Sequence, residues 1–391
     1  MQLSFDAEVE AFRAEFAAFL DTHLPPAAAA GARPRSSGHV PEWARTWQRL
    51  LFDHGWLVPG NPPEFGGRGA GIFEQYVHRE EMARRGIYEH FNPQGVGIVA
   101  ASLITFGTPE QQRRWAVPIL RGERTAALGM SEPGAGSDLA GLRTRARPDG
   151  DRFVVDGQKV WTSGAHDADV LLAFVRTDPE APKHRGISAL LIPTDLPGVR
   201  ASPFASVCAP DDLDFNEVFF DGVEVPAENL VGGLGQGWAV ANGSLGHERT
   251  LLWLAFAQRL DGLLTDFRPT TAVDADRYAT LVLDAHAVRL LGSQAMAAAA
   301  RGEESGPELS VLKLLGSEAV QRFSEHALTA AGPGGLAHSD ITARHSPFSL
   351  EQFAPGWFER FVRSFAGTIA GGTSEIQRNI IAQRVLGLPR P

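Results

Sequence analysis

Two changes of period divide this sequence, and they restrict its fold more than any other feature. From the start to about residue 122 apolar residues recur at helical spacing. Phe5, Val9, Phe12, Phe16 and Phe19 stand three or four apart, with Ser4 placed to cap that helix. Pro25 to Gly38 is rich in Pro, Ala, Gly and Ser and reads as a loop. A second helix carries Trp43, Trp47, Leu50 and Leu51 and stops at Gly55. Thr108-Pro109-Glu110-Gln111 opens another, with Thr108 as cap, Pro109 in the first turn and Gln111 completing a capping box.

Between about residues 123 and 230 the pattern becomes alternating. Phe153-Val154-Val155 meets an Asp156-Gly157 turn signal, Val170 to Val175 and Ile187 to Ile192 are apolar runs, and Phe219 to Val223 carries a hairpin signal at Asp221-Gly222. The helical period returns from about residue 235. Trp238 to Leu264 reads as one long helix, a linker follows near Arg268 to Asp276, and helices are expected over Leu281–Ala300 and Leu309–Leu328. Gly332-Pro333-Gly334-Gly335 interrupts the chain, and a last helix begins near Ser374 with Gln377 as a second capping box. The reading is helices, then a β domain, then helices, divided as 1–122, 123–231 and 232–391.

Composition removes several function classes. There are 391 residues and a net charge of −10, with no dense Lys/Arg stripe, so nucleic-acid binding has little support. Cys208 is the single cysteine, which excludes an internal disulfide and a Cys-based zinc site. His78, His90, His286 and His326 lack the spacing and carboxylate partners of a metal centre, so no metal is expected. No apolar run approaches the roughly 20 residues of a membrane span, and the first residues lack a secretory signal, so a cytoplasmic location is expected. A nicotinamide site is unsupported, because no Gly-x-Gly-x-x-Gly follows a strand.

Three stretches carry chemistry. Leu128-Gly129-Met130-Ser131-Glu132-Pro133-Gly134-Ala135-Gly136-Ser137-Asp138 can bring backbone N–H groups and two hydroxyls against a flat polar ring or a phosphate, although a surface turn accounts for its glycines equally well. Trp161-Thr162-Ser163-Gly164 sets an indole beside small hydroxyl residues, as cofactor stacking requires and as ordinary core packing also allows. Gly371-Gly372-Thr373-Ser374-Glu375-Ile376-Gln377-Arg378-Asn379 puts two glycines before a helix start, which favours an electron-rich group and is also an ordinary loop-to-helix junction.

Together these stretches resemble the acyl-CoA dehydrogenase family. Phe106-Gly107-Thr108-Pro109-Glu110-Gln111, Pro118 to Glu123, Pro63-Glu64-Phe65-Gly66-Gly67 and Phe220 to Pro226 also resemble family patterns, in order along nearly the whole chain. The resemblance implies an N-terminal helical domain, a middle β-barrel-like domain and a C-terminal four-helix bundle. It implies an FAD held by Leu128, Met130, Ser131, Gly136, Ser137, Trp161, Ser163, Thr373 and Glu375, with Ser137 and Arg249 also facing substrate. The implied reaction converts an acyl-CoA to a trans-2-enoyl-CoA, with the β-hydride passing to flavin N5.

The implied base is a glutamate, and many members of the family carry it two residues before the motif threonine. Here that position is Gly371, which cannot act as a base. Others, typically those for branched or long chains, carry it on the helix that opens the C-terminal bundle, where this chain reads Gly246-His247-Glu248-Arg249-Thr250. Glu248 is therefore the expected base, with the Gly371 N–H polarising the thioester carbonyl. Trp253 and Phe256 are candidates for an acyl pocket or for bundle packing.

Two departures concern the contacts that family members make to a neighbouring subunit's FAD. Asp266 to Val273 replaces an Arg-x-Gln-Phe-Gly stretch, and Leu328-Thr329-Ala330-Ala331-Gly332 replaces Gln-x-x-Gly-Gly. The expected partners are an acyl-CoA or acyl-carrier-protein thioester, an electron-transfer flavoprotein, and a homo- or hetero-oligomeric neighbour in a dimer or tetramer. The alternatives are a flavin monooxygenase on the same fold and a subunit of a heteromeric dehydrogenase.

Overall fold

The computed structural model describes residues 5–26, 34–85, 87, 91–207, 213–244, 251–303, 306, 308–337 and 356–389. Helices α1 (Ala7–His23), α2 (Glu42–Asp53), α3 (Ile72–Arg84) and α4 (Ala101–Phe106) come first. An eight-stranded sheet follows: β1 (Ala126–Gly129), β2 (Arg145–Asp149), β3 (Arg152–Lys159), β4 (Val170–Arg176), β5 (Ile187–Pro193), β6 (Val199–Phe204), β7 (Phe215–Pro226) and β8 (Leu230–Val231). The chain then returns to helices α5 (Gly237–Ser244), α6 (Leu252–Asp266), α7 (Ala272–Ala300), α8 (Glu308–Ala331), α9 (Trp357–Ile369) and α10 (Ser374–Ile380). The expected order of a helical, a β-sheet and a second helical domain is what forms.

These elements assemble into two compact units. The sheet unit comprises Ala14–Ala70 and Tyr88–Leu245, and the bundle unit comprises Met1–Arg13, Gly71–Ile87 and Gly246–Pro391.

In the sheet unit the strands run in the order β6-β7-β3-β2-β4-β5-β8, with β1 parallel to β4. β4 and β5 are almost wholly buried, which is why both read as unbroken apolar runs. Phe153, Val155, Leu171, Leu190, Val218 and Val223 make up much of the core. The Asp-Gly signals at 156–157 and 221–222 are not turns: β3 and β7 run straight through them. Asp221 and Gly222 stand opposite Asp156 in a β-bulge, with Gly222 at φ 61° and its N–H donated to Asp156 Oδ1 at 2.8 Å. The β2–β3 reversal lies instead at Gly150, φ 63°.

Helix signals in this unit hold. α2 ends at a left-handed Gly55, φ 74°, with Trp56 N donating to Leu51 O at 2.7 Å. Thr108 and Gln111 form the expected reciprocal cap, at 3.2 and 3.0 Å. The start of α1 belongs to the bundle unit; there Val9 N donates to Asp6 Oδ1 at 3.0 Å, while Ser4 lies outside the described residues.

The bundle unit is built on α6, α7 and α8, whose facing residues include Trp253, Phe256, Leu260, Leu281, Val288, Leu312 and Phe323. α7 starts earlier than expected, at Ala272, because Thr271 and Asp274 form a capping box; the linker shortens accordingly. Of the single helix expected over Trp238–Leu264, α5 and α6 are seen, and residues 245–250 lie outside the described residues. α8 ends at Ala331, just before the Gly-Pro-Gly-Gly break. Thr373 caps α10, accepting from Ile376 N at 3.2 Å. Gln377 does not complete a capping box, because the cap falls on Thr373 rather than Ser374 and Ile376 takes the third position; the Gln377 amide donates instead to the carbonyls of Gly371 and Gly372.

Candidate active site

In the sheet unit β1 delivers Leu128, and the chain then leaves the sheet as the Met130–Asp138 loop. A buried ion pair anchors that loop. Lys159 Nζ, at the end of β3, reaches Glu132 Oε1 at 2.8 Å and Met130 O at 3.1 Å. Glu132 also accepts from Arg143 N at 2.6 Å and Thr144 N at 2.9 Å. Burial alone would raise Glu132, but the Lys159 charge and these hydrogen bonds hold it below the usual carboxylate range. Burial brings Lys159 down to about 8 against the opposing pull of Glu132.

The same anchor holds the loop against the Trp161 segment, where Val160 N donates to Ser131 O at 3.0 Å. Leu128, Met130 and Ser131 are half-buried, and Gly136 and Ser137 are exposed. A side-chain carbon added at Gly134 or Gly136 would meet nothing within 4 Å, so the loop has an open side. Trp161 sits at φ 61° and is 60% exposed, unusual on both counts for a large aromatic residue. Its ring stands edge-on to Phe204 and Phe215, 5.2 and 5.6 Å between centroids, which leaves an indole face to solvent. Beside it Ser163 is half-buried, and Thr162 is clamped by two bonds with Asn216.

In the bundle unit Gly371 and Gly372 both adopt left-handed conformations, φ 67° and 93°, just before α10. Nothing lies within 4 Å of a carbon added at Gly371. Glu375 is exposed, and its own backbone N–H, then the Thr373 side chain, hold its carboxyl below the usual range. Ser374 Oγ is buried with no partner among the described residues. Glu248 and Arg249 lie outside the described residues.

Matches to three family models decide the relationship: the acyl-CoA dehydrogenase N-terminal domain over residues 6–123, the middle domain over 127–223 and the C-terminal domain over 235–386. The chain belongs to the acyl-CoA dehydrogenase family. It is 36% identical to acyl-CoA dehydrogenase IpdE1 of Mycobacterium tuberculosis over 400 residues, 98% of each chain. It is 31% identical to acyl-CoA dehydrogenase FadE26 of the same organism, covering 100% of this chain and 99% of that one. Among solved structures it is similar to the Tcur3481-Tcur3483 steroid ACAD, with a TM-score of 0.78, 32% identity and full coverage of both chains. The ChsE4-ChsE5 complex from Mycobacterium tuberculosis matches at a TM-score of 0.77, 29% identity and 100% of both chains.

The chain is thus an acyl-CoA dehydrogenase, an oxidoreductase of an FAD-dependent family. Several residues find ordinary roles within it. Trp253 and Phe256 are buried bundle packing, seated over Gly292 and Gly316, whose missing side chains leave room for the rings. Where the dehydrogenase departs from the family stretch at 266–273, Phe267 is buried against Phe323 and Trp357, and Arg268 donates to the carbonyls of Thr265 and Phe267. No cluster of groups suited to a metal exists among the described residues, and no described helix is long and apolar enough to cross a membrane. The Lys159–Glu132 pair and the buried Lys313 were not anticipated. Burial is what distinguishes them, and a single Lys within a mixed pattern gives no sign of it.

Proposed function

We propose that this acyl-CoA dehydrogenase binds FAD and removes the α-proton of an acyl thioester with Glu248. The observation that carries the reading is the conformation of position 371. With φ at 67° and no side chain, it offers a backbone N–H and no base, and a glutamate there would sit in a strained backbone costing on the order of 1–3 kcal/mol. Glu248 is the remaining carboxylate at a family base position. The cofactor reading is supported by the exposed Trp161 face, the open glycines of the 130–138 loop, and the partnerless Ser374 Oγ beside an open glycine turn. Leu128, Met130, Ser131, Gly136, Ser137, Trp161, Ser163, Thr373 and Glu375 would hold the cofactor, with Ser137 and Arg249 also toward substrate. FAD, when bound, supplies the two-electron acceptor.

The chain's own part is to hold the thioester carbonyl, lower the cost of enolate character, and take the proton. The Gly371 N–H serves the first two, because a preorganised donor aimed at developing negative charge is worth several kcal/mol. Glu248 takes the proton, and a dry surrounding would raise its pKa toward that task. We divide the chain for these roles at 1–122, 123–231 and 232–391.

The solved relatives named as a steroid ACAD and as a two-protein complex support a bulky acyl group and a second, homologous subunit. So does Arg268, which is engaged within its own chain; Arg277, exposed on α7, is the remaining cation there for a homo-oligomeric contact. The test is anaerobic mixing of the FAD-reconstituted protein with straight, branched, aromatic and steroid-ring acyl-CoAs, alongside sizing and flavin counting. We expect bleaching by a bulky acyl-CoA and fewer FADs than chains in the active assembly. Full flavin occupancy and turnover in a pure homo-oligomer would eliminate the second subunit. A flavin that no thioester bleaches, yet forms an oxygen adduct in air, would replace the reading with a monooxygenase.

A further inference from the structure

Lys313, on α8, is 6% exposed, yet no carboxylate lies within ion-pairing distance among the described residues. Glu318 and Glu375 act on it only at longer range, and burial pulls its pKa below the ordinary lysine value. Its Nζ donates to Gly372 O at 2.7 Å. Gln377, also buried, donates to Gly371 O at 3.1 Å and to Gly372 O at 3.2 Å. A carbon added at Gly372 would come within 2.6 Å of the Gln377 amide nitrogen, the movable end of a side chain; the backbone itself, at φ 93°, is what requires glycine here.

We propose that Lys313 is a positioning residue that, with Gln377, fixes the left-handed Gly371–Gly372 turn and so aims the Gly371 N–H at the substrate carbonyl. The proposal rests on the thioester reading given above. Two consecutive glycines have no intrinsic preference for positive φ, so an unheld turn would sample several conformations. Both peptide oxygens are held from the α8 and α10 side, while the far side of Gly371 is open. Packing alone gives no reason for a lysine here. A buried ammonium without a touching carboxylate is costly, and an apolar side chain of equal length would fill the space more cheaply. What the ammonium adds is a charge-assisted bond to a carbonyl that must not move.

The test compares Lys313→Met, Lys313→Arg and Gln377→Leu with the parent. Two readouts are used: amide exchange of residues 371–373 in the protein without substrate, and anaerobic flavin reduction across a range of thioester concentration. For Lys313→Met we expect a retained cooperative melt, faster exchange at the turn, and a limiting reduction rate lower by on the order of 10²-fold. Half-saturation should move far less, and Lys313→Arg should recover part of the rate. If Lys313→Met does not fold, Gln377→Leu must give the same split with a smaller loss. Parent-like reduction by Lys313→Met, with or without faster exchange, overturns the proposal. So does a fall in substrate affinity alone. If the parent itself is bleached by no thioester, the dehydrogenase reading fails, whereas unchanged exchange in the variants refutes the holding of the turn by itself.

Discussion

Lys159 and Glu132 show how single residues set the geometry of the Met130–Asp138 loop. The lysine side chain is fully buried and the glutamate nearly so, and their pairing fixes the Met130–Glu132 backbone. Removing one partner strands the other charge. Lys159→Met should destabilise the protein by about 3–5 kcal/mol, read as a shift in denaturant midpoint, and should loosen the 130–138 loop. The pH dependence has a definite sign. Because the folded lysine is depressed to about 8, the folded state gives up its proton before the unfolded state does. Its penalty is therefore present below pH 8 and relieved as pH rises toward the unfolded value near 10.5. The depressed Glu132 works at the other end, adding stability above the ordinary glutamate pKa that is lost on acidification. Lys159→Met should flatten the alkaline slope; an unchanged slope would show that the lysine is not the group responsible. None of this was legible in the sequence, where Glu132 reads as part of a glycine-rich loop. Trp161 drew notice in the sequence through its neighbours, but its exposure and positive φ were not legible there.

Among the elements, the helices were easier to read than the turns. Gly55, Thr108 and Gln111 act locally, so their signals survive into the structure. The two Asp-Gly pairs failed as turn signals because they face each other across β3 and β7 and satisfy one bulge together. A sequence window sees each pair alone and prefers a hairpin. Helix packing hides in the same way. Gly292 lies mid-helix in α7, where alanine would ordinarily gain up to about 1 kcal/mol. Here the added carbon would fall 2.2 Å from the buried Trp253 ring. Overpacking of this kind costs about 1–3 kcal/mol, so Gly292→Ala should lower stability in a thermal or denaturant melt. A stabilised variant would mean that α6 and α7 yield more readily than their packing implies.

For the molecule as a whole, the order of helical, sheet and helical domains was legible because the hydrophobic period changes twice. The division into two compact units was not, since Met1–Arg13 and Gly71–Ile87 join the C-terminal helices through contacts far apart in sequence. The expected base belongs to this scale too, because Glu248 has meaning only beside a substrate, a cofactor and the turn at Gly371. The direct measurement is anaerobic single-turnover flavin reduction by the best acyl thioester, comparing the parent with Glu248→Gln at equal FAD content. The substitution keeps size and polarity and removes the basic lone pair, so reduction should slow by about 10²–10⁴-fold while FAD stays bound. A Glu248→Gln protein that reduces its flavin at the parent rate would contradict the account and put the base elsewhere.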